Sequence, residues 1–190
     1  MGIKVVDFPE YLAAVEAQAS LFGACMELNL GIAPSQLQNA NQSFTDFSPP
    51  KELINMWLHA NGSEEWNTVF ARKGYLTPFD FLSLESSLEM KSRLKQREIQ
   101  YSNYAEPSLR DPKIQDGWYS QGWYPFAKFA SGELVLMIDL NPTEIGTKGQ
   151  IICFVHDPDT IVHVANSVSE FLVSSLEQIM ATPEEFFGDF

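Results

Sequence analysis

A chain of 190 residues suits one large domain, and at that size about 70% of the unfolded surface can be buried without a disulfide or metal staple. Hydrophobic residues make up 45% and charged residues 19%, with Phe outnumbering Tyr and Trp together, which argues against disorder outside the ends. Lys and Arg total 12 against 25 acids, a net charge of −13 that disfavours nucleic acid and anionic membranes as partners and attracts a basic protein instead.

The imbalance is uneven. Residues 1–60 hold two bases and six acids, residues 61–113 hold eight of each, and from 114 onward only Lys128 and Lys148 stand against eleven acids. Cys25 and Cys153 lie far apart among apolar neighbours and read as two buried thiols of a reducing compartment. The opening MGIKVVDFPEYL lacks a signal-peptide pattern, and Val6 stands where a myristoylation signal wants Ser or Thr. The longest clear apolar run, Leu134 to Ile138, is too short to span a membrane, so a cytoplasmic home is expected.

In chain order, Phe8, Leu12, Val15, Ala19 and Phe22 fall three or four apart and predict an amphipathic helix weakened at Gly23. Residues 29–49, rich in Asn, Ser, Gln and Pro, read as an irregular connector. Pro50 to Ala60 predicts a helix with Leu53, Ile54, Trp57 and Leu58 inside and Asn61-Gly62 as its left-handed stop. Trp66 to Phe81 shows strand-like and turn-like pieces around Gly74 and Pro78. Asp80 or Ser83 then caps a third helix running to about Tyr101. Its apolar positions, Leu84, Leu88 and Leu94, are sparse, which places it on the surface, and its segment Lys91, Arg93, Lys95, Arg97 reads as a solvated face.

The second half changes character. Trp123 to Phe129, Glu133 to Leu140, Gln150 to His156 and Thr160 to Val164 are β-rich runs separated by turn signals too short for crossover helices, so neighbours pair antiparallel. Ser167-x-x-Glu170 is a capping box opening a last helix with Val168, Phe171, Leu172, Leu176 and Ile179 inside. The expected fold is a single α+β domain: a mostly antiparallel sheet from the C-terminal half with helices packed on it. Its parts are N-terminal helices over 1–62, an insert at 85–116, a strand-rich core at 118–165 and a C-terminal helix over 167–180.

Reactive side chains are few. Cys153, His156, Asp157, Asp159 and His163 form the one cluster a metal or catalytic site would use. Cys153 and His156, three apart in a strand, fall on opposite faces, and Asp157-Pro158-Asp159 is more simply a hairpin turn. Gly146-Thr147-Lys148-Gly149 lacks the strand-to-helix setting of a phosphate loop. No cofactor, metal or catalytic residue is therefore expected. His59 reads as a helix-end residue, and the aromatic stretch from Trp118 to Phe126 divides into core-like Trp123 and Phe126 and surface candidates Trp118 and Tyr119.

Several motifs in order resemble the SUKH superfamily: Gly122-Trp123-Tyr124-Pro125-Phe126-Ala127, then Ser131-Gly132-Glu133 through Asp139-Leu140-Asn141-Pro142, Gly149-Gln150-Ile151-Ile152, the His156-Asp157-Pro158-Asp159 turn, and Ser167 to Leu172. Pro49-Pro50-Lys51-Glu52-Leu53 through Asn61-Gly62 resembles its proline-led helix. Phe129-Ala130-Ser131-Gly132 departs from the Asp-Gly-Gly-Gly common there, and the insert exceeds the family core. The resemblance implies binding without catalysis: bacterial members are mostly immunity proteins that neutralise toxins, and fungal members regulate cell-wall synthesis. The expected partner is a cognate, basic toxin, met through Trp118, Tyr119, Glu133, Asp139, Asp157 and Asp159. A regulatory scaffold or secretion adaptor is the second reading, and a small hydrolase using carboxylates or the Cys153/His156 region is the third. A weak homodimer stays open.

Overall fold

The computed structural model describes residues 7–43, 47–106 and 109–188. In chain order these form α1 (Phe8–Leu21), β1 (Leu28–Leu30), α2 (Pro34–Ser43), α3 (Lys51–His59), β2 (Ala60–Ser63), β3 (Phe70–Ala71), β4 (Pro78–Phe81) and α4 (Leu84–Gln100). Then follow β5 (Trp123–Phe129), β6 (Leu134–Asp139), β7 (Gln150–Val155), β8 (Thr160–Ala165), α5 (Val168–Ala181) and α6 (Glu184–Phe187). β3 to β8 make one six-stranded antiparallel meander in sequence order, and β1 with β2 forms a separate ribbon. The fold is α+β, as the sequence predicts.

Both faces of the sheet are buried, which explains why β6 and β7 read as unbroken apolar runs rather than as alternating strands. Leu136, Ile138, Ile151 and Cys153 join the core shared with α1, α3 and α5. Their neighbours Val135, Met137, Ile152 and Phe154 face the other way, against Met90 and Leu94 of α4 and against Ile114 and Trp118. The insert is thus the second covering layer of the sheet. Its helix is capped by Ser83, whose side chain accepts from the Ser86 N–H, and not by Asp80.

α4 does more than cover. β4 pairs with β5 only at Asp80–Lys128 and Phe81–Ala127, leaving the start of β5 as an edge. There the Ser87 hydroxyl donates to the Pro125 carbonyl, and the Lys91 Nζ donates to the carbonyls of Gln121 and Trp123. Side chains from a helix therefore satisfy an exposed ladder that another chain would otherwise pair with. Burial pushes the Lys91 ammonium down to about 8, and it sits 4.0 Å from the Tyr124 ring centroid. Arg97 lies 4.0 Å over Phe154. The basic segment is accordingly not one solvated face: Arg93 and Lys95 are exposed, whereas Lys91 and Arg97 turn onto the sheet.

The helices on the other face are tied to the meander by a buried polar chain. The Tyr11 hydroxyl of α1 reaches the Val69 carbonyl at 2.7 Å and the Ser175 hydroxyl of α5 at 2.7 Å, and Ser175 Oγ accepts from the Ala71 N–H at 2.8 Å. Three elements so distant in sequence are held by three bonds shielded from water, each costly to leave unmade.

Four further expectations change. Residues 29–49 contain β1's last residues and α2, a helix that turns Leu37 and Ala40 inward. Asn61-Gly62 lies in β2, and α3 ends one residue earlier by running straight into that strand. In α3, Met56 takes the buried place given to Leu58, which is 40% exposed. Cys25, read as buried, is exposed in the connection after α1.

Candidate partner-binding surface

The antiparallel register decides which of the candidate contact residues share a surface. Leu134 pairs with Val155, so the turn before β6 and the turn after β7 meet at one end of the sheet, and the His156 N–H donates to the Glu133 carbonyl at 2.8 Å. Glu133, Asp157 and Asp159 are brought together there. Glu133 and Asp157 are exposed. Asp159 is not: its side chain is 13% accessible, it accepts from His156 Nδ1 at 2.7 Å, and the Tyr101 hydroxyl bonds to it. Burial first, and this carboxylate second, push the Tyr101 phenol up.

The opposite end holds Asp139, and here the expectation of a contact residue is corrected. Asp139 is fully buried, with Oδ1 accepting from the Asn141 N–H at 2.8 Å and Oδ2 from Gln150 Nε2 at 2.9 Å. Gln150 Nε2 also donates to the Lys113 carbonyl at 3.1 Å. The carboxylate therefore fastens the insert to the loop between β6 and β7. Burial raises its pKa, opposed by these bonds. Trp118 is corrected too. It is 6% exposed, packed edge-on against Tyr101 at 5.2 Å and Phe154 at 6.4 Å, with Arg110 5.2 Å over its ring. Tyr119 beside it is half-buried, 5.8 Å from Lys91 Nζ.

The Cys153/His156 pair does not assemble. Cys153 is wholly buried among the helical-face core, and burial pushes its thiol up to about 11, so it holds its proton. His156 lies past the end of β7, its side chain 53% accessible and directed to Asp159. Among the described residues no group of three His, Cys, Asp or Glu side chains is placed to hold a metal ion.

One carboxylate was read from the sequence only as a candidate helix cap. Asp80 on β4 stands across from Lys128 on β5, and Lys128 Nζ bridges to Glu65 at 3.0 Å. Together with Glu64, Glu89 and Arg93 they line a polar cleft of about 440 Å³. Burial pushes the Asp80 carboxyl up to about 6, against the pull of Lys128 and of the Trp66 and Asn67 N–H groups, with Glu65 adding to the rise. Because the folded state keeps this proton to higher pH than the unfolded chain, the contribution to stability is full below about 4 and is lost as pH rises to 6. Asp80→Asn never ionises. Its stability relative to the parent is expected to rise by on the order of 2–3 kcal/mol between pH 4 and pH 7 in denaturant titrations. A pH-independent gap would show that Asp80 titrates normally.

Charge is mixed on the α4 side, where exposed Glu85, Glu89 and Glu98 stand among four bases, and nearly all acidic on the helices of the other face. The latter carry exposed Glu10 and Glu16 (α1), Glu52 (α3), Glu170 and Glu177 (α5) and Glu184 and Glu185 (α6), against Lys51 alone. Asp7 caps α1 and Ser167 caps α5, each accepting from the N–H three residues on.

The inward polar groups of this layered α+β fold fix its turns and its sheet edge. The chain belongs to the SMI1/KNR4 family (SUKH-1), whose model matches residues 31–174, from before α2 into α5. That membership fits an immunity or a regulatory role. Curated proteins give no match to the chain. No helix among the described residues is long and apolar enough to cross a membrane.

Proposed function

We propose that this protein is a cytoplasmic immunity protein that binds a basic toxin and neutralises it by direct contact. The observation that carries this reading is the family match joined to a net charge of −13 and a helical face that is nearly all acidic, which speed encounter with a cationic partner. Glu133 and Asp157, side by side at the turn end of the sheet, are the exposed members of the contact pool; Tyr119 and Asp159 present only part of their surface.

The test is co-expression with the toxin encoded beside its gene, together with capture of that toxin from the same cells. Survival and capture are expected. Glu133→Lys combined with Asp157→Lys is expected to weaken binding about tenfold, mainly through a slower on-rate, with the difference shrinking at high salt. If the chain rescues cells from no such toxin and captures none, the immunity reading fails and the regulatory one takes its place.

A further inference from the structure

The acidic face contains a groove. The first turn of α1, the length of α3 and the first turn of α5 enclose about 620 Å³. Its floor is apolar and well buried: Phe8, Met56 and Leu172 are 7%, 2% and 3% exposed. Its rim carries Asp7, Glu52 and His59, all exposed, and among the described residues no Lys or Arg lines it. The apolar character continues outward. Leu58 is 40% exposed at the groove, and Gly31 packs so closely on its carbonyl that a Cβ there would stand 2.1 Å away.

An apolar floor inside a negative rim fits one kind of occupant best. An acidic segment is repelled by the seven glutamates of this face, and a purely polar basic one leaves the floor wet. We infer that the groove is a docking site for a basic amphipathic segment of a protein partner, apolar side chains on Met56 and Leu172 and Lys or Arg against Glu52 and Asp7. The inference rests on the reading of the chain as a binder of basic protein and adds where, and by what chemistry, one contact is made.

The probe is a short synthetic peptide with Leu and Lys at helical spacing, compared with its scrambled form by fluorescence anisotropy. The ordered peptide is expected to bind the full-length protein, and binding is expected to fall about tenfold with Ser169→Trp, which fills the groove, and with Glu52→Lys, which reverses the rim. Glu184→Lys, outside the groove, is expected to leave it unchanged; Glu52→Gln serves if the reversal perturbs folding. Equal binding of the scrambled peptide, or an equal loss in Glu184→Lys, would overturn the inference in favour of diffuse electrostatics. Tenfold tighter binding after removal of residues 2–6 would assign the groove to the chain's own N-terminus. A concentration-dependent dimer abolished by Ser169→Trp would assign it to a second copy. Toxin protection and peptide binding are read separately: loss of the first with the second intact sinks the immunity reading alone, and the converse sinks the groove alone.

Discussion

Phe70→Ala is expected to cost about 3–5 kcal/mol, a large share of the stability of a domain this size. Phe70 is fully buried on a strand of only two residues, yet its ring touches five others. Centroids of Phe126, Tyr11, Phe81, Phe171 and Phe8 lie at 5.5, 5.6, 5.7, 5.8 and 6.2 Å, drawn from α1, β4, β5 and α5. Truncation removes the transfer energy of the ring and leaves a cavity that the short β3 cannot close by moving, because Ala71 and Val69 are held by Ser175 and Tyr11. Urea unfolding measures it. Phe70→Leu, which fills part of the space, is expected to recover about half the loss. A loss below about 1 kcal/mol in Phe70→Ala would mean that β3 is not a keystone of the packing.

Gly62→Ala is expected to cost about 2–4 kcal/mol. Gly62 adopts φ +84 in β2, a region an L side chain rarely enters, and an added Cβ would stand 2.6 Å from the Ser83 nitrogen and 3.0 Å from the Phe81 oxygen. All of the close atoms are backbone, so none can swing aside. The neighbouring Asn61 shows why the approach is so close: its Oδ1 accepts from the Leu84 N–H at 2.9 Å, joining Ser83 in closing the start of α4. The substitution should therefore loosen α4 first, seen as faster amide exchange in its opening turns than in α5. Equal acceleration in both helices would place the strain elsewhere.

The strands were the legible part. β5, β6, β7 and β8 fall within a residue or two of their predicted limits, because turn residues bracket each run, and the capping Ser167 marks α5 directly. α2 was not legible, since Pro34–Ser43 has no apolar stripe and gains its order from contacts made by Leu37 and Ala40. α4 was read as a surface helix because its burial runs through Ser87 and Met90 as much as through leucines, and a serine hydroxyl aimed at the Pro125 carbonyl leaves no periodic signature. The candidate surface was legible only in part. An Asp after a strand reads as a turn tip whether it faces water, as Asp157 does, or closes a buried network, as Asp139 does, and the choice depends on Gln150 and on Lys113 from the insert. Asp80 and Lys128, forty-eight positions apart, meet only through register.

The double covering of the sheet couples the insert to residues far from it. Val135, Met137, Ile152, Phe154 and Ile161 are apolar because α4 and the Ile114–Trp118 stretch lie over them. A relative lacking that layer would bring those five side chains to water, so in such chains the same positions should be Thr, Lys or Glu. Insert and strand face form an inherited pair, and a chimera that exchanges one without the other should precipitate.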